Sequence, residues 1–322
     1  VRPCVLRLAN SVGHRREDDW FSGGESEPPT FASGRPRTRV SAILDAYRPG
    51  DRLEESDVVT LFSAQDHDVS AIIERANEVR QNLVGDDVTF VINRNINYTN
   101  VCTFKCKFCA FAHLKHSPLA YDDSLETVLA RIRDGVARGA TEVCMQGGIN
   151  PEMPADGYFR LLRGIREAFP DLHIHAYSPM EIGNGAARSE LSIEEFLIAA
   201  KEAGVDSLPG TAAEILDDEV RWILTKGKLP TSQWIEVVQT AHRVGIPTTS
   251  TMMYGHVDAP RHWVAHLQLL ARLQSESGGF SEFVALPFIH TNSPIYLAGL
   301  ARTGPTMRDN RAVHAMARLL LD

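Results

Sequence analysis

The stretch NYTNVCTFKCKFCAFAHLKHS, residues 97–117, gathers Cys102, Cys106 and Cys109, three of the chain's five cysteines, and follows them at once with Phe111 and His113. Thiols spaced CxxxCxxC can all turn toward one point, because so short a loop curls around whatever it holds; they read as ligands. Structural zinc asks for four protein donors, and His113 would complete a three-cysteine, one-histidine set. A cubane 4Fe-4S cluster accounts for the missing fourth cysteine differently: three thiolates hold three irons and the fourth iron stays open for a small molecule. The segment before the loop, TFVINRNINY, reads as a strand. The thiols then sit at the C-terminal rim, where barrels of alternating strands and helices carry their chemistry.

Working outward, short apolar runs alternate with amphipathic segments. TEVCMQGG, LHIHAYSP, VDSLPG, IPTTSTMMYG and EFVALPFI read as strands. Between them LETVLARIRDGVARG, GYFRLLRGIREAF, SIEEFLIAAKEAG, TSQWIEVVQTAHRVG and HWVAHLQLLARLQ have helical spacing. SIEEFLIAAKEAG carries a capping box from Ser192 to Glu195, and TAAEILDDEVRWIL repeats the device with Thr211 and Glu214. Strands and helices in strict alternation imply parallel βα units, which close into a barrel; a doubly wound open sheet is the competing arrangement. The expected fold class is therefore α/β, a (β/α) TIM-type barrel. About six strands are visible, so the barrel looks truncated toward the C-terminus, where RDNRAVHAMARLLLD forms a last amphipathic helix.

Upstream of the barrel, expected over residues 88–322, lies a helical extension at 39–87. Its helix DVSAIIERANEVRQNL puts Val69, Ile72, Ile73, Ala76, Val79 and Leu83 on one face. Residues 1–38, with SGGESEPPTFASGRPRT at their centre, are too polar to offset ordering entropy and read as a disordered tail or linker. No apolar run approaches the length of a membrane span, and a formal charge of −8 with acidic residues spread along the chain makes nucleic acid an improbable partner. Five cysteines, an odd number, fit a reducing, cytoplasmic setting better than a disulfide framework.

The cysteine loop resembles that of the radical S-adenosylmethionine (SAM) enzymes, whose CxxxCxxC motif has an aromatic residue just before its last cysteine, here Phe108. That resemblance implies a 4Fe-4S cluster on Cys102, Cys106 and Cys109, and S-adenosyl-L-methionine bound at the open iron and cleaved to a 5'-deoxyadenosyl radical. The family's second signature, a glycine pair after the second strand, is matched by Gln146, Gly147 and Gly148 in MQGG. INYTNVCTFKCKFCAF, QGGINPEM, HAYSPMEI, LPGTAAEILDDEVR, IPTTSTMMYGHVD and FVALPFIHTNSP together are similar to the CofH family, the hydroxybenzyl-transferring half of FO synthase. In the fused actinobacterial FbiC this half is C-terminal, so residues 1–38 could be an interdomain remnant or a mis-chosen start.

The CofH resemblance implies a transferase of coenzyme F(420) biosynthesis. It would cleave L-tyrosine, join the 4-hydroxybenzyl group to 5-amino-6-(D-ribitylamino)uracil and leave iminoacetate. Its expected partners are a CofG-type half, fused or separate, and an electron donor. The menaquinone-pathway enzymes MqnE and MqnC share the cysteine loop, but Thr211, Ala212 and Ala213 stand where they carry a glycine-rich string. A zinc-stabilised binding module is the reading from a different class.

Polar residues at strand ends are the remaining candidates. His173 and His175 alternate along their strand and share a face; Tyr177, Ser178 and Glu181 follow, and Glu181 is the candidate cofactor contact. Glu214 has a sufficient explanation as a helix cap. Arg94 and Asn95, His256 and Asp258, and His290 and Asn292 are further candidates. Cys144, within a strand, reads as a small structural residue.

Overall fold

The computed structural model describes residues 38–226 and 228–321. The tail expected at 1–38 therefore lies, Thr38 apart, outside the described residues. Among them five strands form: β1 (Asn93–Asn97), β2 (Glu142–Gln146), β3 (His173–Ala176), β4 (Thr248–Tyr254) and β5 (Phe280–Pro287). β1, β2 and β3 pair in that order and in parallel, with Asn95, Cys144 and His175 in one row; β4 and β5 pair in parallel.

The strand expected at VDSLPG is reduced to two isolated parallel bridges, His175 to Ser207 and Leu208 to Thr248, which join the two sheets. Two residues stop it from extending. Pro209 has no N–H to give a ladder, and at Gly210 the chain passes so close to β4 that a Cβ would stand 2.0 Å from the Thr249 carbonyl oxygen. The strand expected at TFVINRNINY is likewise shorter than its apolar pattern, and Phe90 is 83% exposed.

Twelve helices accompany the strands among the described residues: α1 (Arg39–Ala46), α2 (Glu55–Phe62), α3 (Asp66–Val84), α4 (Leu125–Ala137), α5 (Gly157–Ala168), α6 (Pro179–Ser189), α7 (Ile193–Ala203), α8 (Asp218–Thr225), α9 (Thr231–Arg243), α10 (Pro260–Ser277), α11 (Pro294–Leu297) and α12 (Met307–Leu320). The period-two alternation of the strands decides which chemistry faces where. Val143, Met145, Ile174 and Ala176 are fully buried in a core shared with Val128 and Ile132 of α4 and Leu162 and Ile165 of α5. Each of the larger side chains, Val143, Met145 and Ile174, contributes roughly 2 kcal/mol by leaving water. The intervening residues, Cys144, Gln146 and His175 among them, turn to the lumen and are polar or polarisable.

The upstream helices pack on the barrel's last helices. Ile72, Ala76 and Val79 of α3 share a core with Val313 and Met316 of α12 and Trp263 of α10. Leu83, expected on the same buried face, is instead 53% exposed. The helix runs one turn past the surface it packs against.

The capping box at Ser192 and Glu195 is present at the start of α7. The one expected at Thr211 and Glu214 is not. No helix begins there; α8 starts at Asp218, and Asp217 caps it by accepting the Val220 N–H. Thr211 and Glu214 are drawn elsewhere by partners the linear pattern does not reveal: Thr211 Oγ1 donates to Gln146 Oε1 at 2.8 Å, and Glu214 pairs with Lys228.

Candidate functional site

The cysteine loop is fastened on three sides before any ligand is considered. Cys102 N–H donates to His113 O and His113 N–H to Asn100 O, closing the loop's two ends. Thr103 N–H donates to Ile149 O beyond β2, Lys107 N–H to Leu224 O in α8, and Lys107 O accepts from Ile295 N–H in α11. Cys109 N–H turns back to Cys106 O at 3.1 Å. With its backbone groups satisfied this way, the loop holds a fixed curl.

Cys102, Cys106 and Cys109 line one cavity of about 280 Å³ at the C-terminal ends of the strands, together with Phe108, Gln146, Gly147, Gly148, Glu181, Thr211, Glu214, Lys228, Thr251 and Met253. A single water occupies ~30 Å³, so the space is made for something much larger than one ion. Among the described residues no three His, Cys, Asp or Glu side chains gather closely enough to hold one metal ion. His113 is not part of the lining, and its Nδ1 faces Ser117 Oγ at 3.3 Å. The four-donor zinc set is therefore not assembled. Three soft sulfur donors spaced around a roomy cavity fit a polynuclear iron–sulfur group instead.

Burial pushes the Cys106 thiol up to about 11; the Lys228 ammonium works against this, and Glu214 and the neighbouring cysteines add to it. A thiol held protonated this way would release its proton on ligating a metal.

The glycine pair earns its place by contact. A Cβ on Gly148 would stand 2.3 Å from Val101 O and 3.0 Å from Cys102 Cβ, and one on Gly147 would stand 2.6 Å from the Tyr98 ring. The strand end after β2 thus lies directly against the cysteine loop, and only glycine allows it. Gln146 faces the cavity, its carbonyl accepts from Asn97 Nδ2 at 3.2 Å and its amide nitrogen lies 3.7 Å from Cys144 Sγ. Cys144 is half-buried.

Glu181 is 1% exposed. Its Oε1 accepts from Tyr98 Oη at 2.6 Å and from Gly147 N–H at 2.9 Å; its Oε2 accepts from Ser178 N–H at 2.8 Å and Ser178 Oγ at 2.6 Å. Ser178 and Glu181 form the capping box of α6. Burial raises the carboxyl's pKa and these hydrogen bonds oppose it. Glu181 thus ties the glycine pair to α6 and to a buried aromatic group, Tyr98, Tyr177 and Tyr158, whose rings meet edge to face at centroid distances of 6.0 and 4.9 Å.

The other candidates separate. His173 Nε2 and His175 Nδ1 each lie 2.7 Å from Ser207 Oγ, so they share a face as their alternation implies, but they stand outside the cavity lining. Arg94 and Asn95 are outside it too; Arg94 packs over Gly135 of α4. Asp258 accepts from Gly255 N–H, His256 N–H, Trp263 Nε1 and Arg302, and His256 accepts from Val257 N–H and faces Met253 O. Both are consumed in building the turn after β4. His290 meets Tyr296 edge to face at 4.5 Å between ring centres, and Asn292 takes a left-handed turn at φ 61°.

Lys228 was missed by sequence reasoning. It lies in a short loop after α8, with no strand end or motif to mark it, yet its Nζ reaches Glu214 Oε1 at 3.1 Å and stands 5.8 Å from the Phe108 ring centre. Arg221 makes this possible: its guanidinium donates to the carbonyls of Ala212, Ala213 and Leu229 and so clamps the Glu214 and Lys228 segments together.

A strand-end cavity with a three-cysteine loop against a glycine pair defines a class, and the family profile agrees: the chain belongs to the radical SAM superfamily, whose profile matches residues 96–270. Among individual proteins, the chain is 55% identical over 317 residues to the "FO synthase" of Streptomyces avermitilis, covering 96% of this chain and 37% of that one. It is 56% identical over 318 residues to the "FO synthase" of Mycobacterium tuberculosis, covering 98% and 36%. The chain thus spans little more than a third of the FO synthases it matches. To the "5-amino-6-(D-ribitylamino)uracil--L-tyrosine 4-hydroxyphenyl transferase" of Methanothermobacter thermautotrophicus it is 44% identical over 284 residues, covering 88% and 77%.

Solved structures agree on the fold. The hydrogenase maturase HydG of Carboxydothermus hydrogenoformans superposes with a TM-score of 0.67 at 15% identity over 87% of this chain and 63% of that one. Methylornithine synthase (PylB) superposes at 0.60 and 17%, over 80% and 70%.

Proposed function

We propose that this chain carries out the tyrosine-cleaving half of deazaflavin synthesis: it transfers the 4-hydroxybenzyl group of L-tyrosine to 5-amino-6-(D-ribitylamino)uracil. Support comes from one observation above the others. The thiols of Cys102, Cys106 and Cys109, the glycine pair and Glu181 converge on a single strand-end cavity in a chain 44% identical to the methanogen transferase over 77% of that protein's length. Cys102, Cys106 and Cys109 would hold a 4Fe-4S cluster. S-adenosyl-L-methionine would lie along Gln146, Gly147 and Gly148, with Phe108 covering the loop. Bound together, the two groups supply one-electron chemistry that ordinary side chains lack.

The protein's own contribution is position and dryness. Gly148 allows the strand end to approach the cysteine loop; Glu181 holds the Gly147 N–H in place; Phe108, Met253 and Leu286 give the cavity apolar walls that keep water from competing. The fixed curl of the loop would present Cys102, Cys106 and Cys109 to the cluster with little reorganisation. No described helix is long and apolar enough to cross a membrane; a reducing cytoplasm, an electron donor and a CofG-type half complete the proposed setting. The test is product analysis of protein reconstituted anaerobically with iron and sulfide. Labelled tyrosine should yield the coupled product only when S-adenosylmethionine, a reductant and the ribitylaminouracil are all present. Tyrosine left intact in the complete mixture, or coupling to a menaquinone precursor instead, overturns the reading.

A further inference from the structure

We infer that a second cleft, beside the site cavity, binds a small organic carboxylate that carries no ammonium, and that its occupant is the two-carbon acid left by cleavage of tyrosine. The occupant's identity rests on the tyrosine-cleaving reading; the cleft itself does not.

Two observations carry it. The first is a guanidinium left without a counter-charge. A cleft of about 350 Å³ opens between the cysteine loop, α6 and α9, and Arg188 lines it together with Thr103, Asn184 and Gln233. Arg188 Nε donates to Met153 O at 2.7 Å, which fixes the guanidinium, while Nη1 and Nη2 have no acceptor among the described residues. Among those residues no Asp or Glu lines the cleft, and Arg188 makes no ion pair. The Gln233 side-chain amide beside it is likewise without a hydrogen-bond partner among the described residues, and Asn184, which donates through Nδ2 to Tyr158 Oη, keeps its Oδ1 in reserve.

The second observation is Gly183, in the interior of α6, where glycine weakens a helix that alanine would favour. Two residues on, Gly185 is forced by packing, since a Cβ would stand 2.4 Å from the Phe196 ring. At Gly183 a Cβ would touch only Gln233 Nε2, at an ordinary 3.6 Å. Packing does not demand this glycine. What its missing side chain keeps clear is the wall of the cleft.

A guanidinium recognises a carboxylate through two parallel hydrogen bonds. With no acid in the lining, an ammonium on the ligand would find no charged partner, so a plain carboxylate is favoured over a zwitterion. That separates the species of the proposed reaction. Tyrosine and methionine are zwitterions, S-adenosylmethionine is a cation, and the ribitylaminouracil and 5'-deoxyadenosine carry no net charge. Iminoacetate alone is a carboxylate without an ammonium, and with one water it gives glyoxylate and ammonia with no change of oxidation state. The position suits a departing product. Phe104, Ile149 and Met180 line both the cleft and the site cavity and so form a shared wall. Met180, unbranched and with three rotatable bonds, is its most adaptable member.

Equilibrium binding to the reconstituted protein would compare glyoxylate and acetate with acetamide and glycine. Wild type should hold both carboxylates roughly 10-fold better than the neutral amide or the zwitterion. Arg188→Gln should weaken the carboxylates about 10-fold and leave acetamide where it was, which erases the preference. Gly183→Leu, a better helix former that fills the cleft, should raise the melting temperature and yet weaken both carboxylates as much. S-adenosylhomocysteine binding and iron content should be equal in all three proteins.

If the carboxylates bind in this pattern but labelled tyrosine yields no two-carbon acid, the cleft stands and the proposed reaction falls. If tyrosine is cleaved while the carboxylates fail to bind, bind no better than acetamide or glycine, bind undiminished to either variant, or weaken only in step with S-adenosylhomocysteine, the cleft inference is overturned and the reaction stands.

Discussion

Two carboxylates face the same cavity from opposite walls, Glu181 from the side of β1–β3 and Glu214 from the side of β4–β5, and they are treated oppositely. Glu181 accepts four hydrogen bonds and has none to give away. Glu214 has one lysine on one oxygen and, among the described residues, no donor on the other. The first wall is finished in the absence of ligand: cysteine loop, glycine pair and Glu181 are bound into one another. The second keeps polar capacity in reserve. The difference teaches which wall positions and which receives. A satisfied buried carboxylate fixes geometry, whereas one left short of partners is a place for something to bind.

The comparison breaks most decisively at the cysteine loop. Cys106→Ala should abolish iron binding altogether, read as iron and sulfide per chain and loss of the charge-transfer absorption, while the fold survives because Cys106 contributes no core packing. Retention of a full complement of iron would show that the finished wall is not a metal wall. Gly148→Ala should be nearly as severe. Its new Cβ meets a backbone carbonyl, which cannot swing aside as a side chain would, so we expect a loss of about 3 kcal/mol in stability together with reduced iron content. An unchanged melting temperature would mean that the loop and the strand end are not in fixed contact.

How far these features were legible in the sequence follows from how local their causes are. Cys102, Cys106 and Cys109 could be read because a short loop must bring close neighbours together, and Gly147 and Gly148 because they end a strand. The capping box at Ser192 could be read for the same reason, and the identical pattern at Thr211 misled because Gln146 and Lys228, 65 and 14 residues away, compete for those side chains. Nothing local distinguishes the two cases. The fourth strand failed at Pro209 and Gly210, where backbone proximity to β4 overrode the apolar pattern. Lys228 was invisible, since only the long-range clamp through Arg221 turns an ordinary loop lysine into a cavity wall. The parallel βα units and the barrel were recoverable from alternation; the wall made by Glu214 and Lys228 through tertiary contacts was not.

The contrast between the carboxylates can be sharpened by an identical substitution in each. Glu181→Gln replaces an acceptor with an NH₂ group that must face either the donors of Ser178 or those of Tyr98 and Gly147, leaving a buried donor unpaired. We expect about 2 kcal/mol of destabilisation, measured as a shift in the urea midpoint. Glu214→Gln should change stability less, because the oxygen it would alter has no donor among the described residues and the remaining oxygen can still accept from Lys228, although the charge of that pair is lost. Equal losses at the two positions would erase the distinction between the walls.

The smallest effect concerns the lumen beneath the cavity and is read as a slope against pH. Burial lowers His175 from its ordinary 6.5 to about 4, helped by the charge of neighbouring His173. Unfolded, the same imidazole keeps its ordinary affinity for a proton, so between those two values the unfolded chain binds more protons than the folded one. Stability due to this group is therefore complete above 6.5 and drains away as pH falls toward 4. His242, lowered to about 4, and His266, lowered to about 3, both by burial, act in the same direction, so the whole protein should weaken on mild acidification. His175→Gln keeps a polar group for Ser207 but cannot take up the proton. For each pH unit across that interval its unfolding free energy should fall by about 1 kcal/mol less than that of wild type. Parallel slopes would place His175 in contact with water in the folded state, and the lumen row it shares with Cys144 would then be an open channel instead of a closed floor.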